Sequence, residues 1–146
     1  MIEADTRFRP HLEAVGDAFE FHLLGEQSST PATFFSTTAD VRSGASIHRE
    51  ISSAYAPGHV EELQMTAVTL DSLLLGGLGF DLIKLDTQGS ELAILRGGSL
   101  LIRKAEFLLL EVSLLPLIFR APSFEDVILG AKHLGFKLVD FCRSAL

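Results

Sequence analysis

The chain has 146 residues, of which 47% are apolar, and its formal charge is −7 at pH 7. A chain of this length buries one core, so we expect one domain over residues 1–146. The negative charge and the scattered Lys and Arg residues argue against a nucleic-acid partner. Cys142 is the one cysteine and cannot form an internal disulfide, and no 18-residue apolar run predicts a membrane span. We therefore expect a cytoplasmic protein.

The first half of the chain predicts short elements. "MIEADTRFRPHLEAVG" indicates the end of a strand and then a helix that begins near Thr6. "FEFHLL" (19–24) predicts a strand, and "ATFFST" (32–37) is expected to return antiparallel to it as a hairpin arm. The stretch 37–58 is predicted to be a loop, and loops of this length are usually functional or mobile. "MTAVTLDSLL" (65–74) then predicts a strand that leads into a helix.

The second half alternates strands and helices. Strands are predicted at 80–86, 106–112 and 136–141, and the apolar run "EFLLLEV" at 106–112 is typical of a parallel strand covered on both faces. "TQGSELAIL" (87–95) predicts a helix between the first two strands, and "SFEDVILGAKHLG" (123–135) predicts one before the last. This order predicts the α/β fold class, with a parallel sheet that helices cover on both sides.

Carboxylates fall at the ends of three predicted strands. Ligands of open α/β sheets bind at the carboxyl ends of the strands, so Glu3, Asp86 and Glu111 are expected to lie at one rim. Lys84 lies inside its strand and is expected on the face opposite to its two neighbours. The five histidines lack the spacing of zinc ligands, so no metal site is predicted.

The segments "VTLDSLL", "FDLIKLDTQGSELAILRGG" and "EFLLLEV" together resemble the FkbM-type S-adenosylmethionine-dependent methyltransferases. The resemblance is close over 66–141 and looser over 1–141. It implies a Rossmann-like class I methyltransferase sheet, S-adenosylmethionine as cofactor, and methyl transfer to a hydroxyl of a sugar, glycan or polyketide-like metabolite. The family's glycine-rich cofactor loop belongs upstream of Glu3. We therefore expect this chain to be a fragment, a partial domain without the first and last strands of the family's sheet.

The resemblance also implies roles for individual residues. Glu3 would hold the ribose hydroxyls of the cofactor, and Glu26 would accept from its adenine amino group. Asp86 would face the sulfonium and the acceptor hydroxyl, and either Asp86 or Glu91 would serve as the base that collects the hydroxyl proton. The expected rim of the acceptor site consists of Lys84, Ser46 and Glu111.

Each of these residues also has a purely structural interpretation. Asp86 could cap the following helix by accepting from the backbone N–H of Gly89 or Ser90. Glu91 could be an ordinary acid in the first turn of that helix. The whole chain has an alternative interpretation as well. In it, the chain is a non-enzymatic remnant or an interaction module that folds only with a partner or as a homo-oligomer.

Overall fold

The computed structural model describes residues 1–16, 18–37, 45–51, 55–56, 58–73 and 79–141. Seven strands and four α-helices lie in this described part of the chain. The strands are β1 (Ile2–Glu3), β2 (Glu20–Phe21), β3 (Leu23–Leu24), β4 (Thr30–Thr37), β5 (Val60–Val68), β6 (Leu82–Leu85) and β7 (Phe107–Leu110). The helices are α1 (Arg9–Val15), α2 (Glu91–Gly97), α3 (Ser99–Ile102) and α4 (Phe124–His133). Short 3₁₀ turns at Thr6–Phe8 and Leu70–Ser72 precede α1 and follow β5.

The described strands form three small sheets. β1 pairs with β2 and β6 pairs with β7, both in parallel, while β5 pairs in parallel with β3 and antiparallel with β4. The α/β class is therefore confirmed, but the described strands do not form one continuous parallel sheet. The sheet of β3, β5 and β4 is mixed, whereas the alternation of strands and helices predicted a parallel sheet.

The predicted hairpin between residues 19–24 and 32–37 is wrong. β4 pairs instead with β5, in a ladder that runs from Thr30 opposite Ala67 to Thr37 opposite Val60. The partner strand is as long as β4, so the N–H and C=O groups of β4 that face β5 are paired along the whole ladder. Residues 19–24 cannot form such a ladder, because they divide at His22 into two strands of two residues each that belong to different sheets.

The helices of the second half lie where the sequence predicted them. The side chain of Ser123 accepts from the backbone N–H of Asp126, and Asp126 accepts from the backbone N–H of Ser123, so a complete capping box begins α4. Leu92, Ile94 and Leu95 of α2 are buried, as the helical spacing predicted.

The main core joins α2, α3, α4 and β6. Its most deeply buried side chains are Ile94, Leu95, Ile102 and Val127, each at most 1% exposed. Burying a side chain of this size stabilises the fold by about 1.5–3 kcal/mol. A second cluster of Leu23, Phe34 and Ala67 holds β3, β4 and β5 together. The first core fixes the start of α2 against the end of β6, which is where the candidate site lies.

Two further strand predictions fail. Residues 136–141 are described and form no strand, because no described strand pairs with this segment and accepts its backbone hydrogen bonds. Val139 in this segment is 89% exposed. β7 is not covered on both faces either, since Phe107 and Leu109 are exposed together with Leu82 of β6. No helix among the described residues has the length and apolar character that crossing a membrane requires.

Candidate functional site

A cavity of about 360 Å³ opens between the end of β1 and the end of β6. Its polar lining includes Glu3, His22, Ser46, Asp86 and Glu111, and its apolar lining comes from both cores. The three carboxylates at the ends of β1, β6 and β7 therefore meet at one cavity, as the strand order predicted. We call this space the larger cavity.

Glu3 is held in place by the loop that follows it. Its Oε1 atom accepts from the backbone N–H of Ala4 at 2.7 Å and from that of Asp5 at 2.9 Å. No described residue donates to Oε2 of Glu3. One carboxylate oxygen is thus fixed by the backbone while the other keeps its capacity to accept from a ligand hydroxyl.

Beneath this loop lies a buried ion pair. Asp5 is 1% exposed, and both its oxygens accept from the Arg7 guanidinium while Ser36 donates to Oδ2. Burial alone would raise the pKa of Asp5, but the hydrogen bonds and charge of Arg7 outweigh it and hold the pKa below its ordinary value. The pair joins the loop after β1 to the end of β4.

Asp86 lies at the other side of the cavity and is held by side chains. Its Oδ2 atom accepts from Lys84 Nζ at 2.7 Å, and its Oδ1 atom accepts from Gln88 Nε2 at 3.3 Å. Burial would raise the pKa of Asp86, but the hydrogen bond and charge of Lys84 keep it below the ordinary value. Asp86 is therefore ionised at neutral pH.

Glu111 is the neighbour of Asp86 across the parallel pair of β6 and β7. The charge of Asp86 raises the pKa of Glu111, and burial and a hydrogen bond with Asp86 raise it further. Lys84 opposes this rise, and Glu91 adds to it. The environment thus pushes the pKa values of the two carboxyls apart, an arrangement that acid–base sites use.

Glu91 takes the capping role that the sequence offered to Asp86. Its side chain is 1% exposed and accepts from Thr87 N at 2.9 Å, from Thr87 Oγ1 at 3.0 Å and from Gly89 N at 3.0 Å. The interpretation of Asp86 as the cap for Gly89 is therefore wrong, because the backbone N–H of Gly89 donates to Glu91 instead. Glu91 fixes the turn that carries Asp86 and Gln88.

The other predicted residues occupy three different positions. Ser46 is 3% exposed, and its hydroxyl donates to the carbonyl of Gln88 at 2.8 Å, so it ties its own segment to the turn after β6. Lys84 is half exposed beside Asp86, on the face opposite to its neighbours, as predicted. Glu26 pairs with Arg96 at 3.1 Å on the surface and is not among the residues that line either cavity.

A smaller cavity of about 210 Å³ adjoins the larger one. Gln88 and Glu111 line both. The remaining lining of the smaller cavity is largely apolar and comes from the residues after β7 and before α4, namely Val112, Ile118, Ala121 and Pro122, together with Gly89, Glu91 and Ser113.

Sequence reasoning missed two contributors to these cavities. No site role was predicted for His22, yet it lines the larger cavity, and its Nε2 atom lies 3.0 Å from Glu20 Oε2. Gln88 has a positive φ of 52° and lines both cavities. Its place between Asp86 and Gly89 in "DTQGSE" was the signal that could have identified it.

Parallel strands that end in carboxylates around one cavity are typical of α/β proteins that bind a ligand at the strand ends. The family model described as Methyltransferase FkbM domain matches residues 6–138 of the chain. The chain therefore belongs to the FkbM methyltransferase family, which supports methyltransferase activity in general. Searches with the chain found no matching curated protein and no matching solved structure. In the described residues, no group of three or more His, Cys, Asp and Glu side chains is placed to hold a metal ion.

Proposed function

We propose that this protein is an S-adenosylmethionine-dependent O-methyltransferase that acts on a hydroxyl of a sugar, glycan or polyketide-like metabolite. The observation that carries the proposal is the meeting of Glu3 and Asp86 in one cavity, each at the end of a parallel strand. The parallel pairs β1–β2 and β6–β7 are in keeping with a Rossmann-like class I sheet. The cytoplasmic location stays a prediction.

The chemistry of the larger cavity fits this cofactor. Glu3 keeps one oxygen without a donor from the described residues, which suits two vicinal ribose hydroxyls. Asp86 is ionised and reaches the same space, where a negative charge favours a cationic ligand. Glu26 has no part in this proposal, because it pairs with Arg96 away from the cavity lining.

When bound, S-adenosylmethionine would supply a methyl group on a sulfonium, and the sulfur would keep the electron pair of the C–S bond as the new O–C bond formed. The residues of this chain have the remaining tasks of aligning the acceptor and removing its proton. Asp86 stays the first candidate for contact with both ligands. Glu91 serves in this proposal as a positioning residue, because loop donors occupy its carboxylate.

Calorimetric titration with S-adenosylhomocysteine, the demethylated cofactor, tests the proposal without an identified acceptor. The wild type is expected to bind it, and Glu3→Gln is expected to bind about 10-fold to 100-fold more weakly, because a charged acceptor for two hydroxyls is lost. Glu13→Gln is the matched control, since Glu13 is an exposed acid on α1 that lines neither cavity. Absence of binding by the wild type, or equal weakening in both variants, would contradict the proposal.

A second candidate is an interaction module that is completed by a partner or by a second copy of the chain. It is favoured by the exposed apolar face of β6 and β7, where Leu82 is 55% and Phe107 is 56% exposed. Sedimentation velocity separates the two candidates. A monomer that binds S-adenosylhomocysteine supports the enzyme, and a stable oligomer that does not bind it supports the module.

A further inference from the structure

The smaller cavity has a different character from the larger one. Part of its lining is polar, from Gln88, Glu91, Glu111 and Ser113, and part is apolar, from Val112, Ile118, Ala121 and Pro122. A ligand that fills it would place a polar group beside Gln88 and Glu111, which line both cavities, and an apolar face against the apolar residues. This lining is suited to an alcohol that is carried on an apolar framework.

The apolar wall is fixed by contacts from distant parts of the chain. Phe119 N donates to Arg49 O and Ile51 N donates to Leu117 O, both at 2.7 Å, so a short antiparallel bridge holds the segment that contains Ile118. A Cβ at Gly89 would lie 2.8 Å from the Ala121 Cβ atom, which shows how closely the turn after β6 approaches the wall. The cavity is thus bounded by two supported segments.

The carboxylates at the shared wall differ in the number of partners they have. Lys84 and Gln88 donate to Asp86, and loop donors occupy Glu91. Glu111 lines both cavities, and among the described residues its side-chain partner is the neighbouring carboxyl of Asp86. Glu111 is therefore the carboxylate best placed to receive a proton from a group in the smaller cavity.

The charge of the site limits what can enter. Glu111, Asp86 and Glu91 lie at or beside the shared wall, and no Lys or Arg is among the described residues that line either cavity. Lys84 pairs with Asp86 beside the larger cavity, so one positive charge faces three carboxylates and the local charge stays negative. An anionic ligand would be repelled by this arrangement. A phosphorylated or carboxylated acceptor therefore does not match the site.

We infer that the smaller cavity seats the acceptor as an uncharged alcohol with an apolar face, and that Glu111 accepts its hydroxyl proton. This inference rests on the proposed function, since it assigns the acceptor half of the same site. On transfer, the acceptor oxygen bonds to the methyl carbon and its proton passes to the Glu111 carboxylate. The electron pair of the broken C–S bond leaves on the sulfur of the cofactor.

Cyclohexanol is a suitable probe, because it combines one hydroxyl with an apolar ring, and methyl NMR signals of Val112 and Ile118 report its binding. We expect saturable shifts of both signals with cyclohexanol and none with cyclohexanecarboxylate, which carries a negative charge. Ile118→Ala is expected to weaken binding roughly tenfold through lost apolar contact. Leu114→Ala is the matched control, since Leu114 is 70% exposed and lines neither cavity.

A second measurement tests the role of Glu111 in the protein alone, by following its side-chain carboxyl carbon in a pH titration. The groups that act on it are Asp86, Lys84 and Glu91. Cyclohexanol is expected to lower the midpoint, because a hydroxyl that donates to the carboxylate favours the charged form. Methoxycyclohexane, which has the same ring and no donor, is expected to leave the midpoint less affected than cyclohexanol does.

The outcomes separate this inference from the proposed function. If S-adenosylhomocysteine binds but cyclohexanol shifts neither methyl signal, the acceptor site is wrong and the cofactor site stands. If cyclohexanol binds without a greater effect on Glu111 than its methyl ether has, the proton acceptor is wrong. If the carboxylate probe binds as well as the alcohol, the restriction to uncharged acceptors is wrong.

Discussion

The loops after β1 and β6 both present a carboxylate to the larger cavity, but they hold it in different ways. After β1, Glu3 itself accepts from two backbone N–H groups. After β6, the backbone N–H groups donate to Glu91, and Asp86 is held by Lys84 and Gln88. Because Asp86 does not accept from the backbone of its own loop, its carboxylate interacts with the neighbouring charged groups. This difference explains why Asp86 and Glu111 influence each other while Glu3 serves as a fixed acceptor.

The largest effect is expected at Glu91. Glu91→Ala should lower the free energy of unfolding by about 3–4 kcal/mol, because the buried N–H groups of Thr87 and Gly89 lose a charged acceptor. Urea denaturation measures this loss. Glu13→Ala, an exposed acid of α1, should change the free energy of unfolding by less than about 0.5 kcal/mol. Similar losses in the two variants would show that Glu91 does not hold the turn.

Asp5 should have the next largest effect, since it supports the loop after β1. Asp5→Ala should cost about 2–3 kcal/mol, because Arg7 loses its partner and Ser36 loses an acceptor. The pKa of Asp5 is below the ordinary 3.8 in the folded protein, so its stabilising contribution is full above that pH and is lost as the pH falls through the folded pKa. The difference between wild type and Asp5→Asn in urea denaturation should therefore shrink below pH 3.8. A difference that grows there would contradict the ion pair.

Two glycines with positive φ allow a matched test of the turn after β6. Gly89→Ala should cost about 2–3 kcal/mol, because φ is +101° and the new Cβ would lie 2.8 Å from the Ala121 Cβ atom. Gly16→Ala should cost about 1 kcal/mol, since φ is +78° but nothing lies within 4 Å. Thermal unfolding of both variants gives the comparison. Equal costs would mean that the turn does not press against the wall of the smaller cavity.

The smallest effect on stability is expected at Asp86, whose ion pair with Lys84 is solvent-exposed. Asp86→Asn should change the free energy of unfolding by less than about 1 kcal/mol. The same variant should lower the pKa of Glu111, because the charge that raises it is removed. A carboxyl NMR titration of Glu111 measures this change. A Glu111 pKa that is the same in the variant and the wild type would contradict the coupling of the two carboxyls.

Local signals in the sequence predicted the helices of the second half well. The capping box at Ser123 and the helical spacing of the apolar residues in α2 depend on neighbours within four residues, so the sequence alone contains the relevant partners. The strand at 136–141 and the hairpin at 32–37 were wrong for the opposite reason. A strand is defined by a distant partner, and β4 found its partner in β5, about thirty residues further along.

The same difference between local and distant partners applies to the candidate site. The strand order placed Glu3, Asp86 and Glu111 at one cavity, because carboxyl ends of parallel strands share an edge. The smaller cavity was not predictable, since its wall near Ile118 is held by a bridge from residues 49–51. The contact of Glu91 with the Gly89 N–H was missed because a capping side chain usually precedes its helix, as Asp86 does, whereas Glu91 is the first residue of α2.

In the proposed function, the larger cavity binds the cofactor between the ends of β1 and β6. A crystal structure of the protein with S-adenosylhomocysteine tests this directly. We predict that the ribose hydroxyls lie within hydrogen-bonding distance of Glu3 and that the sulfur end lies toward Asp86. A ligand bound outside this cavity, or with its ribose away from Glu3, would contradict the account.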